Sequence, residues 1–232
     1  MPGGKSQLEQ SDFVLQSRNM NPHWAEENLQ TIRTLMERSA LYRRALAPIM
    51  LFVGTVGIAG GVLGWLIQAQ RGGPFLARLF VFYWALVATI ALAGTFILVR
   101  RQALRDSEPF WSPPTRRVTK ALLPAFVVGA VCGAIAADSN GGEEGILYLV
   151  SFWCWAFGCA IHAAGFFMPR GMKVFGWVFV LIGCGICVFM TNDADSFRAT
   201  NLPNFLMTVI FGGLHLAYGI YLYFTEPKNP VA

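Results

Sequence analysis

Residues 145–169 read GILYLVSFWCWAFGCAIHAAGFFMP and contain no Asp, Glu, Lys or Arg. A helix of this length crosses a bilayer core of about 30 Å. Five further windows without charge lie at 45–70, 79–99, 121–137, 174–192 and 199–225. None of the six alternates between apolar and polar residues, as the strands of a membrane barrel do. The sequence therefore predicts an all-α membrane protein with a six-helix transmembrane bundle.

The charged residues define the predicted domain organisation, because all 18 Lys and Arg and all 13 Asp and Glu lie outside the windows. Residues 1–20 are polar and unpatterned, which predicts a disordered tail, and 226–232 form a second tail. Residues 21–46 are predicted to form an amphipathic helix, and 47–225 the transmembrane domain. The predicted spans are 47–69, 76–99, 118–137, 145–168, 172–191 and 203–224.

The segment that precedes the first span has the signals of a helix start. Asn21 is a capping residue, and Pro22 suits the first helical turn. Apolar residues then recur at three- and four-residue spacing, which predicts an amphipathic helix at the cytoplasmic side or the membrane interface: Leu29, Ile32, Leu35, Met36 and Ala40. The helix is predicted to reach about Ala47 and to kink at Pro48. Its apolar face predicts a cytoplasmic protein partner at residues 22–46.

The basic residues predict the orientation. Of the 18 Lys and Arg, 15 lie in the segments 1–46, 99–120, 169–173 and the tail after 225. By the positive-inside rule, both termini are then cytoplasmic. The net charge of +5 is accounted for by this distribution, so we predict the lipid bilayer, and not nucleic acid, as the environment that the basic residues meet.

Two histidines, His162 and His215, are the titratable side chains near neutrality inside the predicted spans, and such residues are functional candidates. One hypothesis is that both ligate a b-type haem in the bundle, with neighbouring glycines making room for the ring. The other is that each neutral imidazole bonds a neighbouring helix, with Tyr218 as the local partner or relay of His215. Proton relay and ligand contact also stay open.

Glycines and cysteines inside the spans are predicted to serve helix packing. Small residues four apart let helix backbones approach closely, and the chain has three such pairs: Gly57/Gly61, Gly60/Gly64 and Gly129/Gly133. Cys184 and Cys187 form a CxxC pair, but it lies toward the end of its span, where a helix N-terminus does not lower the thiol pKa. No metal-ligand spacing or catalytic motif is present, so the sequence gives no indication of an enzyme or of catalytic residues.

Three stretches resemble a loose group of bacterial membrane proteins: IRTLMERSALY (32–42), GFFMPRGMKVFGWVFVLIG (165–183) and GGLHLAYGIYLY (212–223). In that group a short cytoplasmic helix precedes about six spans, and a Leu-His-x-x-Tyr-Gly pattern ends the last one. His215 and Tyr218 match this pattern. The resemblance implies a multi-pass protein of the bacterial inner membrane and supplies no catalytic residues.

Three functions follow as hypotheses. The first is a non-enzymatic scaffold, sensor or regulator that acts through the helix 22–46 and the basic loop 100–117. The second is a haem-binding electron carrier that uses His162 and His215. The third is a facilitator for a small uncharged solute, which requires a polar path along the hydroxyl residues of the spans: Thr55, Thr89, Thr95, Ser151 and Thr208. Self-association into a homo-oligomer is compatible with each.

Overall fold

A computed structural model of the chain describes residues 22–71, 77–105, 107, 110–111, 113–138, 142–168, 170–192 and 202–225. Within these ranges the regular structure is entirely helical, as predicted. The chain divides into two units, residues 1–41 and 42–232. In the first unit the described residues are helical, and of their side chains only Asn28 and Leu29 are described, both exposed. The predicted tails lie outside the described residues, and the amphipathic character of residues 21–46 stays a prediction, because no other side chain of this unit is described.

The described helices follow one another along the chain with short connections. We number them α1 to α6: Pro22–Arg71, Ala77–Arg105, Pro113–Asp138, Gly142–Ala164, Arg170–Asn192 and Leu202–Thr225. The last consists of α-helix at Leu202–Met207, a π-helical turn at Thr208–Gly213 and α-helix at Leu214–Thr225. α1 begins at Pro22, directly after the predicted cap, and contains Pro48.

All six helices contain a stretch that is long and apolar enough to cross a membrane. These stretches are Leu46–Gln70, Ala77–Arg105, Thr115–Asp138, Glu144–Ala164, Gly171–Thr191 and Leu202–Thr225. They coincide with the predicted spans to within a few residues, except at two helix ends. The prediction of six helices that are long and apolar enough to span a membrane is therefore confirmed, because charge position marks the ends of the apolar stretches.

One of the two exceptions is the connection between α2 and α3. A loop was predicted over 100–117, but α2 continues to Arg105 and α3 begins at Pro113. Ser107 takes a left-handed conformation with φ of 53°, and its N–H bonds the Leu104 carbonyl at 3.4 Å, a helix ending through a left-handed residue. Pro113 starts the next helix without the loss of a hydrogen bond, because an N–H group in the first turn has no partner within the helix.

The other exception is the end of α4, which stops at Ala164 because Gly165 begins a tight turn. The Gly165 N–H donates to the Ile161 carbonyl. The Phe166 N–H donates to the Ala163 carbonyl, and the Phe167 N–H donates to the Ala164 carbonyl. The chain therefore reverses within a few residues, and α5 packs back along α4.

The centre of the second unit lies around α4. Half of the apolar span of α4 is buried, against 6% for α3, so α4 lies inside the bundle and α3 at its edge. The largest fully buried side chains of the described residues come from α2, α4, α5 and α6, among them Phe80, Cys154, Phe179 and Asn204. The outward-facing Leu, Ile, Val and Phe side chains of the spans are those that contact lipid in a membrane.

α1 and α6 contact each other through glycines. A Cβ atom at Gly57 would lie 2.7 Å from the Cα of Gly212, and a Cβ atom at Gly219 would lie 2.7 Å from the Leu51 backbone nitrogen. A Cβ atom at Gly61 would overlap the side chain of Thr208 on α6. The other predicted pairs also face neighbours: Gly60 and Gly64 lie against α2, and Gly133 against Trp153 of α4. The prediction that these glycines serve helix packing is confirmed.

Candidate functional site

His215 lies in α6 directly after the π-helical turn and is 3% exposed. Its Nδ1 is 2.6 Å from the backbone oxygen of Phe211, four residues earlier. Because a carbonyl oxygen only accepts hydrogen bonds, Nδ1 is the donor, and a neutral imidazole then has an unprotonated Nε2. The Phe211 carbonyl of the same helix therefore fixes the tautomer and the orientation of the His215 ring.

Aromatic rings surround the imidazole of His215. The ring centroid of Phe157 from α4 is 5.3 Å away, and those of Phe175 and Phe179 from α5 are 5.1 and 5.6 Å away. Tyr218 stacks on Phe175 at 4.8 Å. These distances are typical of favourable aromatic contacts. His215 thus joins three helices, and the role of Tyr218 as its relay partner stays a prediction.

His162 has a different environment near the end of α4. It is half-buried, and its Nδ1 is 3.4 Å from the Lys173 backbone oxygen on α5. Its ring contacts Phe166 and Trp177, both with centroids at 5.8 Å. The ammonium of Lys173 lies 3.6 Å from the centroid of the same Phe166 ring. His162 therefore lies in the last turn of α4, and its contacts are with the turn that follows and with the start of α5.

The two histidines contact different faces of α5. His162 contacts Trp177 and the Lys173 carbonyl, whereas His215 contacts Phe175 and Phe179. Positions 173 and 177 share one face of a helix, and positions 175 and 179 lie about 200° away, on the opposite face. The structure thus does not bring the two imidazoles to a common face of this helix. Their ligation of one haem stays a prediction.

The glycines beside both histidines make room for helix backbone. A Cβ atom at Gly158 would lie 2.7 Å from the Gly176 carbonyl oxygen of α5, and one at Gly212 would lie 2.7 Å from the Ile58 nitrogen of α1. Gly165 and Gly219 face Lys173 and Leu51 at the same distance. The neighbouring helices, rather than a planar ring, occupy these faces in the structure.

A buried polar cluster joins α1, α2 and α6 near one end of the spans, and the sequence reasoning missed it. The Trp84 indole N–H donates to Asn204 Oδ1 at 3.0 Å, and Asn204 Nδ2 donates to Gln68 Oε1 at 3.0 Å. Asn204 is 2% exposed and Gln68 4%. On the same two helices, the Tyr83 hydroxyl of α2 donates to the Gly60 carbonyl of α1. The sequence signal for this cluster is one amide side chain inside each of the first and last spans, Gln68 and Asn204.

The π-helical turn lets α6 serve both regions. Asn204 and His215 are eleven residues apart, which is close to three turns of an ordinary α-helix, so they would share one face. The π-helical turn at Thr208–Gly213 widens the helix, with the Leu214 N–H bonding the Val209 carbonyl, and offsets the faces on either side. Asn204 consequently meets α1 and α2, whereas His215 meets α4 and α5.

The hydroxyl groups of the proposed solute path do not share one environment. Thr55 and Thr89 are exposed on the side of the bundle, and each donates to a carbonyl of its own helix. Ser151 is buried and bonds the Leu147 carbonyl, while Thr208 bonds the Asn204 carbonyl at 2.6 Å. Each of these four hydroxyls therefore satisfies a local backbone group. The facilitator hypothesis stays a prediction.

Exposed cations gather where α2 ends and α3 begins. We call this region the basic end, and it comprises Arg100, Arg101, Arg105, Arg116, Arg117 and Lys120. Aromatic rings lie at the same level: Phe110 contacts Phe96 with centroids at 4.9 Å and Trp111 at 6.2 Å. This combination is typical of the headgroup zone of a bilayer. At the opposite end of the same hairpin, Arg78 and Asp138 form an exposed ion pair at 3.1 Å.

A cavity of about 140 Å³ lies at the basic end, between α1 and α2. Its lining consists of Pro48, Leu98, Arg101, Gln102 and Arg105. The α2 residues follow the spacing 98, 101, 102 and 105, so they form one helical face toward Pro48. The cavity therefore has an apolar wall and two guanidinium groups.

Within the described part of the chain, no group of three or more His, Cys, Asp or Glu side chains is arranged to hold a metal ion. All five cysteines are free, with Cys154 buried and Cys184 exposed. Comparisons of the chain with protein-family models, with curated proteins and with solved structures give no match.

Proposed function

We propose that this multi-pass membrane protein is a non-enzymatic scaffold or regulator of the bacterial inner membrane. In this proposal both termini are cytoplasmic, and residues 22–46 together with the basic end bind a cytoplasmic protein. The observation that carries the proposal is the concentration of exposed Arg side chains and aromatic rings on the α2–α3 connection. The polar cluster at one end of the spans supports it, because Asn204 bonds both Trp84 and Gln68 and so holds helices together.

The partner should offer an apolar groove flanked by acidic residues. Leu29 supports this chemistry, because its side chain is 65% exposed on the helix that the apolar spacing marks as amphipathic. A groove that accepts such a helix binds apolar residues at three- and four-residue intervals. Acidic residues on the partner would complement the positive charge of the basic end.

The test uses a photoreactive amino acid in the full-length protein in its native membrane. With the group at position 29, we expect cross-links to a protein, whereas position 28 one residue away is the control. These positions are about 100° apart on a helix, so a partner that reads the apolar face distinguishes them. Leu29→Glu should abolish co-purification of the cross-linked protein, and Asn28→Glu should leave it. Cross-links from position 29 to lipid alone, or an unchanged interaction profile after deletion of residues 22–46, would refute the proposal.

The alternative function, a haem-binding electron carrier, is tested by the absorption spectrum of the purified protein. If His162 and His215 ligate a b-type haem, the purified protein has a Soret band, and replacing either histidine by alanine removes it. We expect instead that both imidazoles serve helix contacts, as the Phe211 and Lys173 carbonyls beside them support.

A further inference from the structure

We propose that the cavity between Pro48 and the end of α2 binds the phosphate group of an anionic phospholipid. Its two arginines belong to the basic end, but the lipid is a different ligand from the protein partner proposed above and is tested separately. Arg101 and Arg105 stand four residues apart on α2, so their guanidinium groups lie on the same helical face. Planar guanidinium groups bind phosphate oxygens through paired, charge-assisted hydrogen bonds.

The cavity lies at the depth where a headgroup phosphate is found. Leu98 belongs to the uncharged window that ends at 99, and the first arginines follow at once. Pro48 lies close to the start of the span Leu46–Gln70, so both walls of the cavity cross the same boundary. Trp111 marks this level independently, since Trp and Tyr side chains concentrate at the membrane interface, and its ring contacts Phe110, which in turn contacts Phe96.

The arginines have no competing anion among the residues that the structure describes. Neither Arg101 nor Arg105 forms an ion pair there, whereas Arg78 at the opposite end is paired with Asp138. A guanidinium group near the apolar phase is stabilised by an anionic partner, and basic pockets between spans hold acidic lipid headgroups. Two arginines and a small cavity therefore fit one phosphate group.

A lipid fits this cavity better than a soluble phosphate. The rest of the lining is Pro48, Leu98 and Gln102, of which Pro48 and Leu98 are apolar and offer a path for glycerol and acyl chains. Pro48 also leaves the helix without one N–H, so its ring presents an apolar surface where a backbone donor would be. An anionic phospholipid brings both the phosphate and the apolar chain to this place.

The test is native mass spectrometry of the full-length protein in detergent with equal amounts of phosphatidylglycerol and phosphatidylcholine of the same acyl chains. We expect the wild-type protein to retain phosphatidylglycerol preferentially. The double variant Arg101→Gln/Arg105→Gln should lose this preference by at least about tenfold. The matched control Arg100→Gln/Arg116→Gln removes two exposed arginines of the same end that do not line the cavity, and it should keep the preference.

A second variant tests the cavity without changing charge. Leu98→Trp should fill the space and lower retention while both arginines remain, and size-exclusion profiles identify any variant that is misfolded. Equal loss in the two double variants, or no preference in the wild-type protein, would overturn the proposal. Complete displacement of the lipid by millimolar inorganic phosphate would assign the site to a soluble anion and would likewise overturn it.

Discussion

The contact between α1 and α6 gives the sharpest prediction, because two backbones meet there without side chains between them. At Gly57 an added Cβ atom would lie 2.7 Å from the Gly212 Cα, and at Gly212 it would lie 2.7 Å from the Ile58 nitrogen. Both partners are backbone atoms, so rotation of a side chain cannot relieve the overlap. Substitution of either glycine by alanine must move the helices apart.

The size of the effect follows from the geometry. Carbon atoms pack best at about 3.5–4.0 Å, so the helices must separate by roughly 0.8 Å or more. A gap of about 0.5–1 Å forfeits a quarter to a half of the dispersion energy of the contacts that it opens. We therefore expect Gly57→Ala and Gly212→Ala each to lower the free energy of unfolding by about 1–3 kcal/mol.

The assay is reversible unfolding in mixed micelles at increasing fractions of denaturing detergent, followed by the fluorescence of the seven tryptophans. Gly185→Ala is the control, because nothing lies within 4 Å of a Cβ atom at that position of α5. Its stability should equal that of the wild-type protein or slightly exceed it, since alanine has the higher helix propensity. A Gly212→Ala protein within about 0.5 kcal/mol of the wild type would refute the close helix approach.

Three further outcomes are expected. Replacement of Asn204 by leucine leaves the Trp84 N–H without its acceptor and should lower the free energy of unfolding in the same assay by about 0.6–1.7 kcal/mol, the range for hydrogen bonds inside membranes; an unchanged value would contradict the buried cluster. Asp138→Asn should change stability by less than about 1 kcal/mol, because the ion pair with Arg78 is exposed at both side chains; a larger loss would show that the pair is shielded. His215→Ala should destabilise the protein more than His162→Ala, because only His215 is fully buried, and equal losses would argue against these environments.

The positions of the charges made the spans predictable. The apolar phase excludes Asp, Glu, Lys and Arg at every helix in the same way, so the ends of the windows locate the ends of the spans. The glycine pairs were predictable as packing positions for a similar local reason. The connection after α2 was not predictable, because prolines are typical both of loops and of helix starts, and Pro113 and Pro114 occupy the first turn of α3.

Helix partners depended on the tertiary structure. A lipid-facing residue and a helix-facing residue are both apolar, so the sequence of a span does not distinguish the face that meets a neighbour. Nothing local in the sequence therefore pairs Gln68 with Asn204, which are 136 residues apart. The π-helical turn also separates the face of Asn204, which meets α1 and α2, from that of His215, which meets α4 and α5. The sequence alone determined that the chain has six helices able to cross a membrane, because charge is costly in lipid. Only the fold decided which buried groups meet.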